Sequence, residues 1–367
     1  MTRITIKTDK ENKFLVILIW IVVCIAAKFM LLVILPEKYS RDGRSIFLQS
    51  MTGYLREDMG FDNTAKIFSA INKVFRFQSF EMWSIFLSII CSLFLLVFLN
   101  KSLEKLSFSD FIFLTCSVFL MNIYTFTVSK DVIQLILILP AVYILHGAYK
   151  TNVKISVLIG SLLIIAFVLR PYFFLTAIMF FSVYRTFQNS YEQEKKKFWR
   201  NLIFIFLIGV LGLYVLKNVD AFTYNRLLQT RSDVNQFRIG NVDAQTAIVN
   251  LIDDDGTIIT FMLNLVINMF RLLFPIALLQ QGLLQILFLV YQVNLSRKIL
   301  LIFYHQSNSS KTSMQNENVF IAVSLLIAYF IVAAVFEPDY GSAIRHEMIF
   351  FPVIYVALFE GEAHVTK

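Results

Sequence analysis

Apolar runs of roughly 15 to 22 residues recur along almost the whole chain, each long enough to cross a bilayer core of about 30 Å as an α-helix. Inside lipid every backbone N–H and C=O must find a partner within the protein, so runs of this length and pattern fold as helices. The composition agrees. Of 367 residues 57% are hydrophobic and only 16% charged, where a soluble domain carries about 25% charge. The expected fold is an all-α, polytopic integral membrane bundle forming one continuous domain over residues 1–367. The first apolar run is long, and no small-residue cleavage site followed by a soluble domain succeeds it, so a retained span is expected rather than a cleaved signal. Cys24, Cys91 and Cys116 all lie within apolar runs, which points to neither a disulfide framework nor a thiolate metal site. The net charge of +8 is read as basic cytoplasmic loops rather than as a nucleic-acid surface.

About ten spans are expected, at 14–35, 82–100, 111–128, 132–148, 155–169, 172–187, 201–217, 273–294, 319–336 and 347–360. Lysines and arginines favour the cytoplasmic side. They cluster before the first span (Arg3, Lys7, Lys10, Lys13), after the sixth (Arg185, Lys195, Lys196, Lys197, Arg200) and after the eighth (Arg297, Lys298, Lys311). That alternation places both termini in the cytoplasm. It leaves two large outer loops, at about 36–81 and 218–272, and an outer turn at 337–346. The first outer loop is itself basic and fits this scheme least well. Arg170-Pro171 joins the fifth and sixth spans directly. One helix through both would bury Arg170 in mid-bilayer, whereas two short helices meeting at an outer turn keep it near the surface, as tolerated where such segments line a polar cavity. Residues 257–273 read as an apolar helix with Asn264, Asn268 and Arg271 on one face, lying along the outer surface.

With this topology the ionisable residues converge on the outer side. The turn Glu337-Pro338-Asp339-Tyr340-Gly341-Ser342-Ala343-Ile344-Arg345-His346 holds the densest group. Ionisable residues at a membrane are costly and mark function by default. The same side gains Lys130 and Asp131 in a Ser-Lys-Asp turn, Arg170, and Arg226, Arg231 and Arg238 in the second large loop. Asp42 and Asp62 lie in the first. An arginine fork suits phosphate oxygens, so the pattern suits a phosphorylated lipid headgroup. Blander roles remain open: Arg170 as a snorkelling helix end, Lys130-Asp131 as a self-neutralising pair, Lys28 as a cation paired inside the bundle, the loop arginines as decoration. The four histidines (His146, His305, His346, His364) are too scattered for a zinc site. No nucleotide-binding glycine loop is present. No metal and no cofactor are expected.

Short elements in a particular order carry a resemblance. They are Gly60-Phe61-Asp62-Asn63-Thr64-Ala65, Ser129-Lys130-Asp131, Arg170-Pro171-Tyr172, Leu273-Phe274-Pro275 and Gly341-Ser342-Ala343-Ile344-Arg345-His346. In this order the chain resembles bacterial repeat-unit polymerases of O-antigen (lipopolysaccharide) and capsular polysaccharide. The resemblance implies a glycosyltransferase of the bacterial cytoplasmic (inner) membrane acting at its outer face. A growing glycan would be released from undecaprenyl pyrophosphate and joined to a new lipid-linked repeat unit, with membrane lipid around it and a flippase and a chain-length regulator as partners. Arg170, Arg345 and Lys130 would hold the pyrophosphate as its bond breaks. His346 or Asp339 would take the acceptor proton, with Asp131, Asp42, Asp62 and Glu337 as further candidates. Two rivals stand beside this reading. One is a C-type glycosyltransferase using a polyprenyl-monophosphate sugar, a class that often carries an acidic catalytic residue in the first outer loop, where Asp42 or Asp62 would serve. The other is a lipid-linked oligosaccharide flippase or exporter.

Overall fold

The computed structural model describes residues 10–100, 107–191, 246–252, 257–308, 317–337 and 339–360, with isolated positions between 200 and 232. Among them the regular structure is helical: α1 (Lys10–Phe29), α2 (Arg41–Thr52), α3 (Met59–Phe75), α4 (Phe80–Leu99), α5 (Phe108–Leu120), α6 (Lys130–His146), α7 (Thr151–Val168), α8 (Phe173–Tyr191), α9 (Ile258–Leu273), α10 (Leu283–Asn308), α11 (Glu317–Phe336), α12 (Tyr340–Glu347) and α13 (Phe351–Tyr355). Seven segments are long and apolar enough to cross a membrane: Lys13–Ile34, Phe80–Leu99, Phe108–Thr125, Thr151–Val168, Gln285–Ile302, Glu317–Phe336 and Tyr340–Phe359. The protein is a multi-pass helical membrane protein.

The expected spans at 14–35, 82–100, 111–128, 155–169 and 319–336 each fall on one of these seven segments. The span expected at 132–148 is α6, only 17 residues long with Pro140 inside it. The one at 172–187 is the short apolar part of α8, Phe173–Thr186. The span at 201–217 and the loop arginines Arg226, Arg231 and Arg238 lie outside the described residues, apart from isolated positions in that span. Two boundaries differ from expectation for identifiable reasons. The chain does not run straight from 273 to 294. Pro275, which has no N–H to donate, follows the end of α9, a short tight turn spans Ile276–Gln280, and Gly282 takes a φ of 113° before α10 starts. The polar stretch ending at His346 is not an irregular turn either. Asp339 accepts the Ser342 N–H at 2.7 Å and its hydroxyl at 3.2 Å, and this N-cap starts a helix already at Tyr340.

Two compact units make up the chain: one of Met1–Tyr143, Leu163–Pro171 and Arg345–Phe351, the other of Ile144–Leu162, Tyr172–Ile344 and Pro352–Lys367. In the first, α1, α4 and α5 pack together and share their polar groups. Trp20 Nε1 donates to Thr115 Oγ1 at 3.0 Å, and Ser88 Oγ to Asn122 Oδ1 at 2.5 Å. Lys28 is buried. Its ammonium donates to the Phe126 carbonyl at 2.6 Å and to Ser84 Oγ at 3.3 Å. Phe126 is where α5 ends in the wide turn Met121–Thr125, so Lys28 satisfies a carbonyl that the helix no longer uses. The bundle-paired reading of this lysine holds.

The first loop belongs to the same unit and is ordered. Ile46, Ala65, Phe68, Phe80, Trp83, Val128 and Val132 form a buried core under α2 and α3, with the Phe68 ring edge-on to Trp83 at 5.1 Å. Two glycines set how closely these helices approach the rest of the unit. A Cβ on Gly43 would lie 2.6 Å from the Val128 carbonyl and 2.8 Å from the Phe80 ring, and one on Gly60 would collide with the Leu169 carbonyl. The segments touched immediately precede Ser129-Lys130-Asp131 and Arg170.

In the second unit α11 is the central helix, packed against α8, α9 and the last turn Val356–Glu360. Its start is tied by Lys154 Nζ to Asn318 Oδ1 at 2.7 Å and by Thr151 to Glu317. The polar face read on α9 is real. Asn264 holds the N–H and C=O of Ile252 at 3.1 and 2.9 Å, Asn268 reaches Asn250 at 3.1 Å, and Arg271 reaches the Val249 carbonyl. These side chains clamp the 249–252 segment.

Gly43→Ala and Gly60→Ala are expected to destabilise the detergent-solubilised protein by about 1–3 kcal/mol each through overpacking. Gly160→Ala, where nothing lies within 4 Å of the added Cβ, is expected to be neutral or stabilising. Thermal unfolding of the three variants checks this contrast.

Candidate functional site

The site is assembled by three short-range events within the first unit. Ser129 caps α6, its Oγ accepting the Val132 N–H at 3.2 Å and donating to the Thr125 carbonyl at 3.2 Å. Lys130 and Asp131 therefore occupy the first turn of α6. Helix α7 stops before Pro171, and the Arg170 N–H still reaches the Ile165 carbonyl at 3.0 Å, so Arg170 sits at a helix end as expected. Arg345 and His346 lie in the last turn of α12.

These events bring one carboxylate between two arginines. Asp131 has no solvent exposure. Its Oδ1 accepts from Arg170 Nη2 at 2.9 Å and its Oδ2 from Arg345 Nε. Arg345 then reaches outward, Nη1 donating to Asp42 Oδ2 at 2.8 Å. Asp42 stands in the first turn of α2, and its side chain is 44% exposed. Its other oxygen, Oδ1, has no partner among the described residues. The self-neutralising Lys130–Asp131 pair, one of the blander alternatives, is not what forms. Lys130 Nζ instead lies 3.9 Å from the centre of the Phe61 ring, a cation–π contact.

The electrostatics separate the two aspartates. Burial alone would raise the Asp42 carboxyl, but Arg345, followed by Lys130 and Arg170, holds it below its ordinary value. Its contribution to stability is therefore present above the ordinary carboxylate range and is lost as pH falls through the lowered folded value. Burial pushes the Lys130 amine down to about 8, and Arg170 and Arg345 push the same way, while Asp58 and Asp131 oppose them. Asp58 spends its carboxylate on the N-terminus of α3, accepting from Gly60 N at 2.9 Å and Phe61 N at 3.1 Å. Three cations (Arg170, Arg345, Lys130) thus gather around Asp131 and Asp42, and the Asp58 carboxylate also acts on Lys130. His346 lies in the field of the same three cations.

The remaining expected residues have other duties. Asp62 accepts the Arg56 backbone N–H at 2.9 Å. Asp339 caps α12. Glu337 is buried where α11 ends, its N–H on the Ala333 carbonyl at 2.8 Å. Sequence reasoning placed Asp131 among the secondary candidates, whereas it is the centre of the cluster. It passed over Gly43 and gave Phe61, quoted only within the 60–65 element, no role of its own. The available signal was a glycine or aromatic next to a charged residue within an amphipathic helical pattern. No family model, no curated protein and no solved structure matches this chain.

Replacing Asp131 with Asn removes the buried charge that Arg170 and Arg345 share and leaves Arg345 only its Asp42 contact, and a loss of about 3–5 kcal/mol is expected. Arg345→Lys is expected to recover part of what Arg345→Ala loses, because lysine keeps the charge but cannot reach two carboxylates with one planar fork. Thermal unfolding with expression level as a control checks both. For Lys130 the native state binds fewer protons than the unfolded chain between about 8 and the ordinary value of 10.5, so the contribution of this group to stability rises with pH across that window. Its positive charge is lost over the same window. Affinity for an anionic ligand is therefore expected to fall above about pH 8, and Lys130→Arg to extend binding to higher pH.

Proposed function

We propose that the chain is a membrane glycosyltransferase that transfers a sugar from a polyprenyl-phosphate donor at the outer face of a bacterial cytoplasmic membrane. The observation that carries this reading is the open carboxylate of Asp42, paired through one oxygen with Arg345 at the edge of a buried Arg–Asp–Arg cluster. The acid lies in the first loop, where C-type glycosyltransferases often carry theirs.

In this reading the acceptor hydroxyl hydrogen-bonds to Asp42 Oδ1. Its oxygen attacks the anomeric carbon as the bond from that carbon to the phosphate oxygen breaks. The electron pair leaves on the phosphate, where Lys130 and the arginine cluster stabilise the growing charge. The proton passes to Asp42. The carboxylate is ionised at neutral pH, and because Arg345 holds it below its ordinary value it is a weak base that takes the proton only as the acceptor oxygen gains its bond to carbon. The buried Asp131 fixes the two arginines and does not meet the acceptor.

Polymerisation of pyrophosphate-linked repeat units is the second reading, favoured by the recruitment of both Arg170 and Arg345 to one cluster. Purified protein offered a polyprenyl-monophosphate sugar or a pyrophosphate-linked repeat unit separates the two by which donor is consumed. Asp42→Asn is expected to lower transfer by at least about 100-fold while the protein still folds with a modest loss of thermal stability, and Asp339→Asn and His346→Ala are expected to retain most of the transfer. Wild-type rates in Asp42→Asn would overturn the role of this residue. The orientation has its own check. A cysteine at Tyr54, 71% exposed in the first loop, is expected to react with an impermeant thiol reagent from outside the cell, and one at Tyr149, 47% exposed between α6 and α7, is not.

A further inference from the structure

The first loop carries a surface that the charge cluster does not use. Helices α2 and α3 are amphipathic, and their inner faces bury Ile46, Ala65 and Phe68. Outward they leave Leu48 (61%), Met51 (48%), Ile71 (39%), Val74 (77%) and Phe75 (44%) exposed. Ile71, Val74 and Phe75 follow helical spacing along one face of α3. Met51 joins them, because its sulfur accepts from Asn72 Nδ2 at 3.3 Å.

This surface does not end at the loop. The Phe75 ring lies 4.7 Å from that of Phe86 and 5.6 Å from that of Phe77. Phe86 belongs to the transmembrane helix α4, whose outward side exposes Ile85, Ile89, Leu93 and Val97. The apolar face of the loop is therefore continuous with the face that α4 turns to lipid. Beside it stand three exposed cations, Lys66, Lys73 and Arg76, with no carboxylate partner among the described residues. Several other ionic groups of the loop are committed: Arg44 to Glu81 at 2.9 Å, Asp42 to Arg345, and Asp58 and Asp62 to backbone amides.

We infer that α2 and the C-terminal half of α3 lie in the interfacial layer of the protein's own bilayer, with Leu48, Val74 and Phe75 in the acyl region and Lys66, Lys73 and Arg76 on anionic phospholipid headgroups. An apolar helical face flanked by cations is the surface such a layer binds, and each cation adds attraction to an anionic leaflet. The inference is independent of the proposed transferase activity.

The test uses the full-length protein in lipid nanodiscs, with Cys24, Cys91 and Cys116 replaced and one spin label attached at Leu48→Cys, Val74→Cys or Glu57→Cys. Labels at 48 and 74 are expected to be relaxed more by dissolved oxygen than by a water-soluble nickel chelate, and the label at 57 the reverse. Adding phosphatidylglycerol to phosphatidylcholine is expected to deepen the label at 74, and the combined change Lys66→Gln, Lys73→Gln, Arg76→Gln to abolish that response. Position 48 supplies an independent reading should the variant at 74 fold poorly. Aqueous accessibility at both positions would overturn the inference. So would exclusion of both reagents, the sign of a covering protein surface or a second copy. A label in lipid that ignores phosphatidylglycerol would overturn the headgroup assignment.

Discussion

A carboxylate withdrawn from water in a membrane protein is tolerable only if something replaces its hydration, because the uncompensated penalty is several kcal/mol per ion. Asp131 meets this condition with one arginine on each oxygen. Each contact makes a demand on local structure. Asp131 must stand in the first turn of α6, which the Ser129 cap arranges. Arg170 must stand at a helix end, which Pro171 enforces by denying the next turn its N–H. Arg345 must lie in the last turn of a helix, and α12 reaches that far because Asp339 starts it. Three ordinary capping and breaking signals thus serve one ion triad.

The division of labour between Asp131 and Asp42 follows from exposure. A carboxylate between two arginines and out of water is a structural anion. The same group with one free oxygen at the edge of the cluster can still exchange a hydrogen bond with something that arrives. Lys130 is intermediate. Its ammonium rests on the Phe61 ring, an attraction that spends none of its hydrogen-bond donors, so it keeps both its place and its ability to bind an anion. Its lowered value makes the charge of the cluster itself a function of pH.

Much of the fold could be read from the residues, and the failures have causes. Long apolar runs set the helices, and the Arg170-Pro171 break and the polar face of α9 were legible because proline and helical spacing act locally. The site was legible only as a set. Arg170, Arg345, Lys130, Asp131 and Asp42 were all named, but their pairing was not. Asp339 looked like the natural neighbour of Arg345, only six positions away, yet its carboxylate closes on the Ser342 amide. The partners of Arg345 are 214 and 303 positions distant. Nothing local encodes such pairings. They depend on Gly43 and Gly60, whose missing side chains let two loop helices approach backbone carbonyls next to the site, and a glycine within a helical pattern does not announce what it will touch.

Those sequence separations also bear on how the protein is made. Asp131 and Arg170 are 39 residues apart and enter the membrane close together during synthesis, so their pair can close early. Arg345 arrives 214 residues after Asp131, and until it does one oxygen of Asp131 and the Asp42 carboxylate lack their shared arginine. The charge cluster is therefore complete only once the segment that carries Arg345 has been inserted. A nascent or truncated protein would carry a half-neutralised aspartate between its helices, the kind of defect that membrane quality-control proteases can discriminate from the finished molecule.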